Sequence, residues 1–178
     1  MKITVFMATS LDGFIADKDG KVDWLNDLAV DQDSNEDYGF QTLLSSVDRL
    51  VMGRNTFDQV LKFDTWGYAE LPVTVISHRS TPTQLPKNAK ITFLGGTPEV
   101  LMETFTKAGD KHIYLDGGDL VRQFLNAELI TEIITTSVPV LLGDGISLFH
   151  QPLSDLEWHI KETKNYPNGF IRTHWIRI

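Results

Sequence analysis

Apolar residues fall along this chain in short runs, and the spacing within each run separates strands from helices. Residues 2–8 are apolar on both faces and rich in β-formers, which predicts a buried central strand. Asp12-Gly13 and Asp19-Gly20 mark turns, and the stretch to about residue 34 reads as a long loop anchored by Trp24 and Leu25. Helical spacing begins near Asp37, with Phe40, Leu43 and Leu44 on one face. A short strand from Arg49 to Met52 ends at Gly53, and a helix follows through Phe57, Val60 and Leu61. Strands over residues 73–77, 91–94 and 112–115 come next, with helices opened by Thr97-Pro98 and by Gly117-Gly118. Residues 130–142 read as extended, and the tail alternates on both sides of Pro167-Asn168-Gly169, a hairpin signal. Strand–helix alternation followed by terminal antiparallel strands predicts an α/β fold on a mostly parallel sheet, in one domain over residues 1–178.

Composition narrows the function classes. With 178 residues, of which 42% are hydrophobic, the chain is long enough to bury roughly 70% of its unfolded surface. It has no cysteine, which excludes disulfides, CxxC zinc sites and thiolate nucleophiles. The histidines, His78, His112, His150, His159 and His174, show neither HxH nor HExxH spacing, so no metal site is expected. The net charge of -8 argues against nucleic acid and anionic membrane surfaces, which need clustered Lys and Arg. No apolar run approaches the ~20 residues of a membrane span, and the first eight residues do not make a signal peptide. A cytoplasmic protein is the expectation. The charge is also uneven: from Asp12 to Asp37 nine acids face only Lys18 and Lys21, which places seven of the eight net charges in one segment.

Candidate chemistry sits at the carboxyl ends of the expected parallel strands, where helix N-termini converge and ligands bind. In Val51-Met52-Gly53-Arg54-Asn55-Thr56 a strand runs through Gly into a helix, with a guanidinium and a hydroxyl alongside. In Leu115-Asp116-Gly117-Gly118-Asp119-Leu120 paired glycines permit close backbone approach. Each is also ordinary turn punctuation, and neither is a GxGxxG fingerprint or a P-loop; together they suit a pyrophosphate. Ser77-His78-Arg79, at a third strand end, suits a phosphate that guanidinium can bind bidentately. No GxSxG elbow is present to anchor a hydrolase triad.

Four blocks in register resemble the dihydrofolate reductase-like superfamily, and within it the C-terminal reductase domain of the bifunctional riboflavin-biosynthesis deaminase/reductase (RibD C-terminal-like). They are Ser10-Leu11-Asp12-Gly13, Met52-Gly53-Arg54-Asn55-Thr56, Asp116-Gly117-Gly118 with Gln123-Phe124-Leu125, and Val138-Pro139-Val140-Leu141-Leu142-Gly143-Asp144-Gly145 running on to Leu148-Phe149. The resemblance implies a three-layer fold with a mixed, mostly parallel eight-stranded sheet and a C-terminal antiparallel hairpin. It implies NADPH, with Ala8 and Ile15 at the nicotinamide end, Gly53, Arg54, Asn55 and Thr56 along the pyrophosphate and 2′-phosphate, Ser77, His78 and Arg79 around the adenosine phosphate, and Gly117, Gly118, Asp119 and Leu120 at the pyrophosphate. A homodimer is implied as well.

The implied activity is hydride transfer to a C=N or C=O bond of a small heterocyclic or carbonyl substrate, as in the 5-amino-6-(5-phosphoribosylamino)uracil reductase. A carboxylate with raised pKa would assist protonation; Asp37 and Asp116 are the candidates, and Asp37 equally suits a helix N-cap. Asp12, Trp24, Val60 and Trp66 are the candidate substrate-pocket residues, with core packing the alternative for Val60. Leu71 stands where dihydrofolate reductases use an Arg for the folate carboxylate, which argues against folate. Asp116 replaces a Glu of the riboflavin reductases. The acidic 12–37 segment favours a neutral or cationic substrate. A catalytically silent NADP-binding protein is the alternative of a different class.

Overall fold

The computed structural model describes residues 1–25, 36–63, 65–68, 70–82, 84–149 and 155–178. In chain order the elements are β1 (Lys2–Thr9), β2 (Phe14–Ala16), α1 (Phe40–Leu44), β3 (Arg49–Gly53), α2 (Arg54–Val60), β4 (Val73–Ile76), β5 (Ile91–Leu94), α3 (Pro98–Ala108), β6 (His112–Asp116), α4 (Gly118–Asn126), β7 (Glu132–Ser137), β8 (Ile146–Ser147), β9 (Trp158–Asn165) and β10 (Ile171–Arg177). Eight strands form one sheet in the order β5-β4-β3-β6-β1-β7-β10-β9. The neighbours from β5 to β7 are parallel, and β10 runs antiparallel to both β7 and β9. This is the mixed eight-stranded α/β sheet with a C-terminal hairpin that the sequence pattern and the resemblance lead one to expect.

Burial explains why the central strands are apolar on both faces. On one face Ile3, Val5, Val51, Ile113 and Leu115 pack against Leu101 and Phe105 of α3 and Leu120, Val121, Phe124 and Leu125 of α4. On the other, Leu50, Met52, Val73, Val75 and Tyr114 pack against Leu43 of α1 and Phe57 of α2. Each such large side chain, fully buried, stabilises the fold by about 1.5–3 kcal/mol. A smaller cluster of Val138, Tyr166 and Phe170 gathers Ala8, Trp24, Leu25, Tyr38 and Val140 near the end of β1.

Two features depart from the pattern. The expected extended run over 130–142 is a strand only from Glu132 to Ser137. Pro139 cannot donate to a sheet ladder, and the Leu142 and Gly143 N–H groups turn instead to the Asp12 carboxylate at 3.2 and 2.8 Å. The chain then returns as β8 to pair with β2, a two-stranded ribbon too short to carry any period in sequence. Of the expected 12–34 loop, residues 26–34 lie outside the described residues, and residues 23–25 begin a helical turn. Among the described residues no helix is long and apolar enough to cross a membrane, and no cluster of potential metal ligands occurs.

Candidate active site

The register places Met52 of β3 beside Asp116 of β6, so the two glycine-bearing junctions that follow are neighbours. Gly53 leaves β3 in an extended conformation, and a Cβ built on it would meet nothing within 4 Å; the space in front of it is open. Gly117 has φ +98°, and a Cβ there would stand 2.6 Å from Thr56 Oγ1 and 3.6 Å from the Gly53 nitrogen. A Cβ on Gly118 would stand 2.9 Å from Ile15 Cδ1. Ile15, Gly53, Thr56, Gly117 and Gly118 therefore meet at one junction, with Gly117 and Gly118 buried in it and the side of Gly53 open. Leu120 packs into the core, and Asp119, largely exposed, pairs with Arg122 at the surface.

Basic groups border that junction. Arg54 donates from Nε to Asp58 Oδ1 at 2.7 Å and from Nη1 to the Ser80 carbonyl at 2.7 Å. Arg79 donates from Nη2 to Asn55 Oδ1 at 2.6 Å, and its Nη1 lies 3.4 Å from Asp58 Oδ2. Ser77 Oγ accepts the Arg79 N–H at 2.9 Å and so fixes the turn that presents the guanidinium. His78 lies over Gly95, where an added Cβ would stand 3.1 Å from its Cε1. The strand ends thus bring Arg54, Asn55, Ser77 and Arg79 into one polar cluster.

The candidate carboxylates have different fates. Asp116 is half-buried by solvent access but deep among protein atoms, at the carboxyl end of β6 on the face that carries Tyr114. Burial pushes its pKa up to about 6, against the Gly117 N–H and the Tyr114 hydroxyl, which favour the ionised form. The Tyr68 and Tyr114 phenols are raised too, first by burial and then by the nearby Asp116 charge. Asp116 is thus a carboxyl beside two phenols. Asp37, by contrast, is exposed and accepts the Gly39 and Gln41 N–H groups at 2.8 and 2.7 Å. These bonds lower its pKa, the Gln41 one most. Asp37 thus braces the turn that leads into α1, whose N-cap is Gly39 and not Asp37. Asp12 accepts from Ser10 Oγ at 2.6 Å as well as from Leu142 and Gly143, and the Ser10 bond is the largest of the causes that lower its pKa. It pins the 10–13 turn to the 138–145 segment, which leaves it little capacity for a substrate.

The three apolar pocket candidates separate. Trp24 joins the Ala8, Tyr166 and Phe170 cluster, with its indole N–H buried and without a partner among the described residues. Val60 and Trp66 line a cavity of about 390 Å³ with Leu61, Phe63, Thr65, Gln84, Leu85 and Pro86. Trp66 packs edge-on against Phe57 and Tyr68, with ring centroids 6.2 and 5.0 Å away, which links this cavity to the Asp116 side. Sequence reasoning misses Tyr68, Tyr114 and Asp58. For two of them a signal exists: Tyr114 precedes Asp116 by two and so shares its face, and Asp58 follows Arg54 by four on a helix. Tyr68 arrives from a loop and leaves no such trace.

Residues 1–172 match the family described as the RibD C-terminal domain. The chain is 29% identical over 177 residues to YwjB, an uncharacterized protein of Bacillus subtilis (strain 168), covering 99% of this chain and 98% of that one. Among solved structures, a putative riboflavin biosynthesis protein from Shewanella sp. PV-4 superposes with a TM-score of 0.91 at 38% identity, covering 100% of this chain and 99% of its own. A diaminohydroxyphosphoribosylaminopyrimidine deaminase/5-amino-6-(5-phosphoribosylamino)uracil reductase from Thermotoga maritima shares the fold with a TM-score of 0.77 at 12% identity. The match covers 99% of this chain but only 56% of that bifunctional protein.

Proposed function

This chain belongs to the RibD C-terminal domain family, and from that premise we propose that it is an NADPH-dependent reductase acting on a C=N or C=O bond of a small heterocyclic or carbonyl compound. The observation that carries the reading is the junction of β3 and β6, where Gly117 lies against Thr56 with no room for a Cβ and the front of Gly53 stays open. Such a cradle of backbone N–H groups bordered by two guanidiniums fits a pyrophosphate with a further phosphate beside it. Gly53, Thr56, Gly117 and Gly118 would hold the pyrophosphate; Arg54, Asn55, Ser77 and Arg79 would hold the 2′-phosphate and adenosine. Ala8 and Ile15 would border the nicotinamide end. When bound, NADPH supplies the hydride; this chain's residues orient it and deliver the proton.

Proton delivery falls to Asp116. A carboxyl held partly protonated near neutral pH can donate to a substrate nitrogen or oxygen, which an exposed carboxylate of low pKa cannot do efficiently. Dihydrofolate reduction fits less well, because Leu71 packs among apolar side chains and offers no charge to a folate carboxylate. The acidic segment supports a neutral or cationic substrate. The exposed apolar side chains of Phe149, Ile160 and Ile171 support a homodimer, in which a partner would cover them. The test is NADPH consumption across a panel of pterins, aminopyrimidines and aldehydes. Turnover on any member supports the reading, whereas tight NADPH binding with no turnover on any member leaves a nucleotide-binding protein instead.

A further inference from the structure

We propose that Asp58 is a built-in counter-charge that sets how strongly this protein prefers a 2′-phosphorylated cofactor; the inference rests on the proposed NADPH site. The Asp58 carboxylate touches both guanidiniums of the polar cluster, with Oδ1 at 2.7 Å from Arg54 Nε and Oδ2 at 3.4 Å from Arg79 Nη1. One carboxylate between two cations leaves the cluster with a single net positive charge, where the sequence motif alone promises two. A phosphate dianion arriving there meets a like charge a few ångströms away, while the hydroxyl that replaces it in NADH is indifferent to that charge.

Both arginines have anchors that do not depend on Asp58. Arg54 is tied to the Ser80 carbonyl at 2.7 Å, and its side chain is only 15% exposed, so packing holds it. Arg79 is tied to Asn55 Oδ1 at 2.6 Å. Neutralising Asp58 should therefore leave the guanidiniums in place and raise their net charge, so its role is electrostatic before it is structural. Asp58 keeps 37% of its side chain in solvent, and screening limits the size of the effect. The consequence is a site that binds the 2′-phosphate with moderate preference and releases the spent cofactor readily.

The experiment measures dissociation constants for NADPH and NADH on wild-type protein, on Asp58→Asn and on Asp58→Asn/Arg79→Ala, at low and high salt. Nicotinamide fluorescence reads them without any substrate. Asparagine is near-isosteric and keeps an acceptor for Arg54 Nε, and a thermal melt controls for folding. Asp58→Asn is expected to tighten NADPH about three- to tenfold at low salt, to leave NADH unchanged and to steepen the salt dependence for NADPH. Adding Arg79→Ala is expected to remove most of that gain. If wild type prefers NADPH and Asp58→Asn leaves the preference unchanged or weakens it, the proposal is overturned and the cofactor reading stands. If wild type binds no NADPH, or binds it no better than NADH in all three proteins, the cofactor reading fails and takes the proposal with it.

Discussion

A Cβ placed on Gly117 would stand 2.6 Å from Thr56 Oγ1, so the first turn of α2 and the junction between β6 and α4 touch through the absence of a side chain. Gly117 also has φ +98°, a region that costs other residues about 1–3 kcal/mol. Gly117→Ala is therefore expected to lower the melting temperature and to abolish NADPH binding together, since both the strain and the clash fall on the cradle. Thermal denaturation and a fluorescence titration on the same preparation check it; unimpaired NADPH affinity would remove the cradle from the site.

Arg54→Ala and Arg79→Ala should each weaken NADPH more than NADH. A hydrogen bond to a charged group is worth about 1.5–3 kcal/mol when sheltered, and exposure reduces that value. The Arg54 side chain is 15% exposed and that of Arg79 54%; the Arg54 variant should show the larger loss. Equal losses for the two cofactors would take the 2′-phosphate away from both residues.

In the proposed reaction Asp116 would give the rate a pH dependence of fixed sign. Its folded pKa is raised to about 6, so a proton it could donate is present below that pH and lost above it. Turnover should fall on the alkaline side with an apparent pKa near 6, and Asp116→Asn should abolish that limb along with most of the rate, while NADPH affinity survives. A pH–rate profile identical in the variant would contradict the assignment.

Stability has a pH dependence of opposite sign elsewhere. His112, bonded to Thr4 Oγ1 and the Ser46 carbonyl, and His174, bonded to Glu132, both have pKa values lowered first by burial. Their unfolded forms take up protons more readily, so the stability they contribute is present above pH 6.5 and is lost as pH falls below it. Asp116, with its raised pKa, contributes stability that is gained as pH falls below about 6. The two effects oppose each other, so Asp116→Asn should make the melting temperature fall more steeply toward acid than it does in wild type.

The Asp37 carboxylate belongs to the start of α1. Asp37→Ala takes the acceptor from the Gly39 and Gln41 N–H groups and should cost about 0.5–1.5 kcal/mol, with turnover unchanged. Denaturant melts and initial rates separate the two effects.

What the amino-acid pattern reveals depends on how local each feature is. The sheet was legible because every central strand must be apolar on both faces, as Val51, Val75 and Leu115 are. The cradle was legible because glycine is demanded wherever backbone must approach backbone, as at Gly117. Asp37 was ambiguous by chemistry, since the same carboxylate that protonates a substrate also braces the turn into a helix. The β2–β8 pairing was invisible, because the two strands are too short to carry a period and pair Phe14 with Ser147 across more than 100 residues of chain. Tyr68 was invisible for the same reason: its place beside Asp116 comes from chain folding, not from spacing.

The most direct measurement is a crystal structure of the protein with NADPH. The account expects the pyrophosphate against Gly53, Gly117 and Gly118, the 2′-phosphate between Arg54 and Arg79, and the nicotinamide beside Ala8 on the Asp116 side. Cofactor bound elsewhere, or a nicotinamide with no path to Asp116, would contradict it.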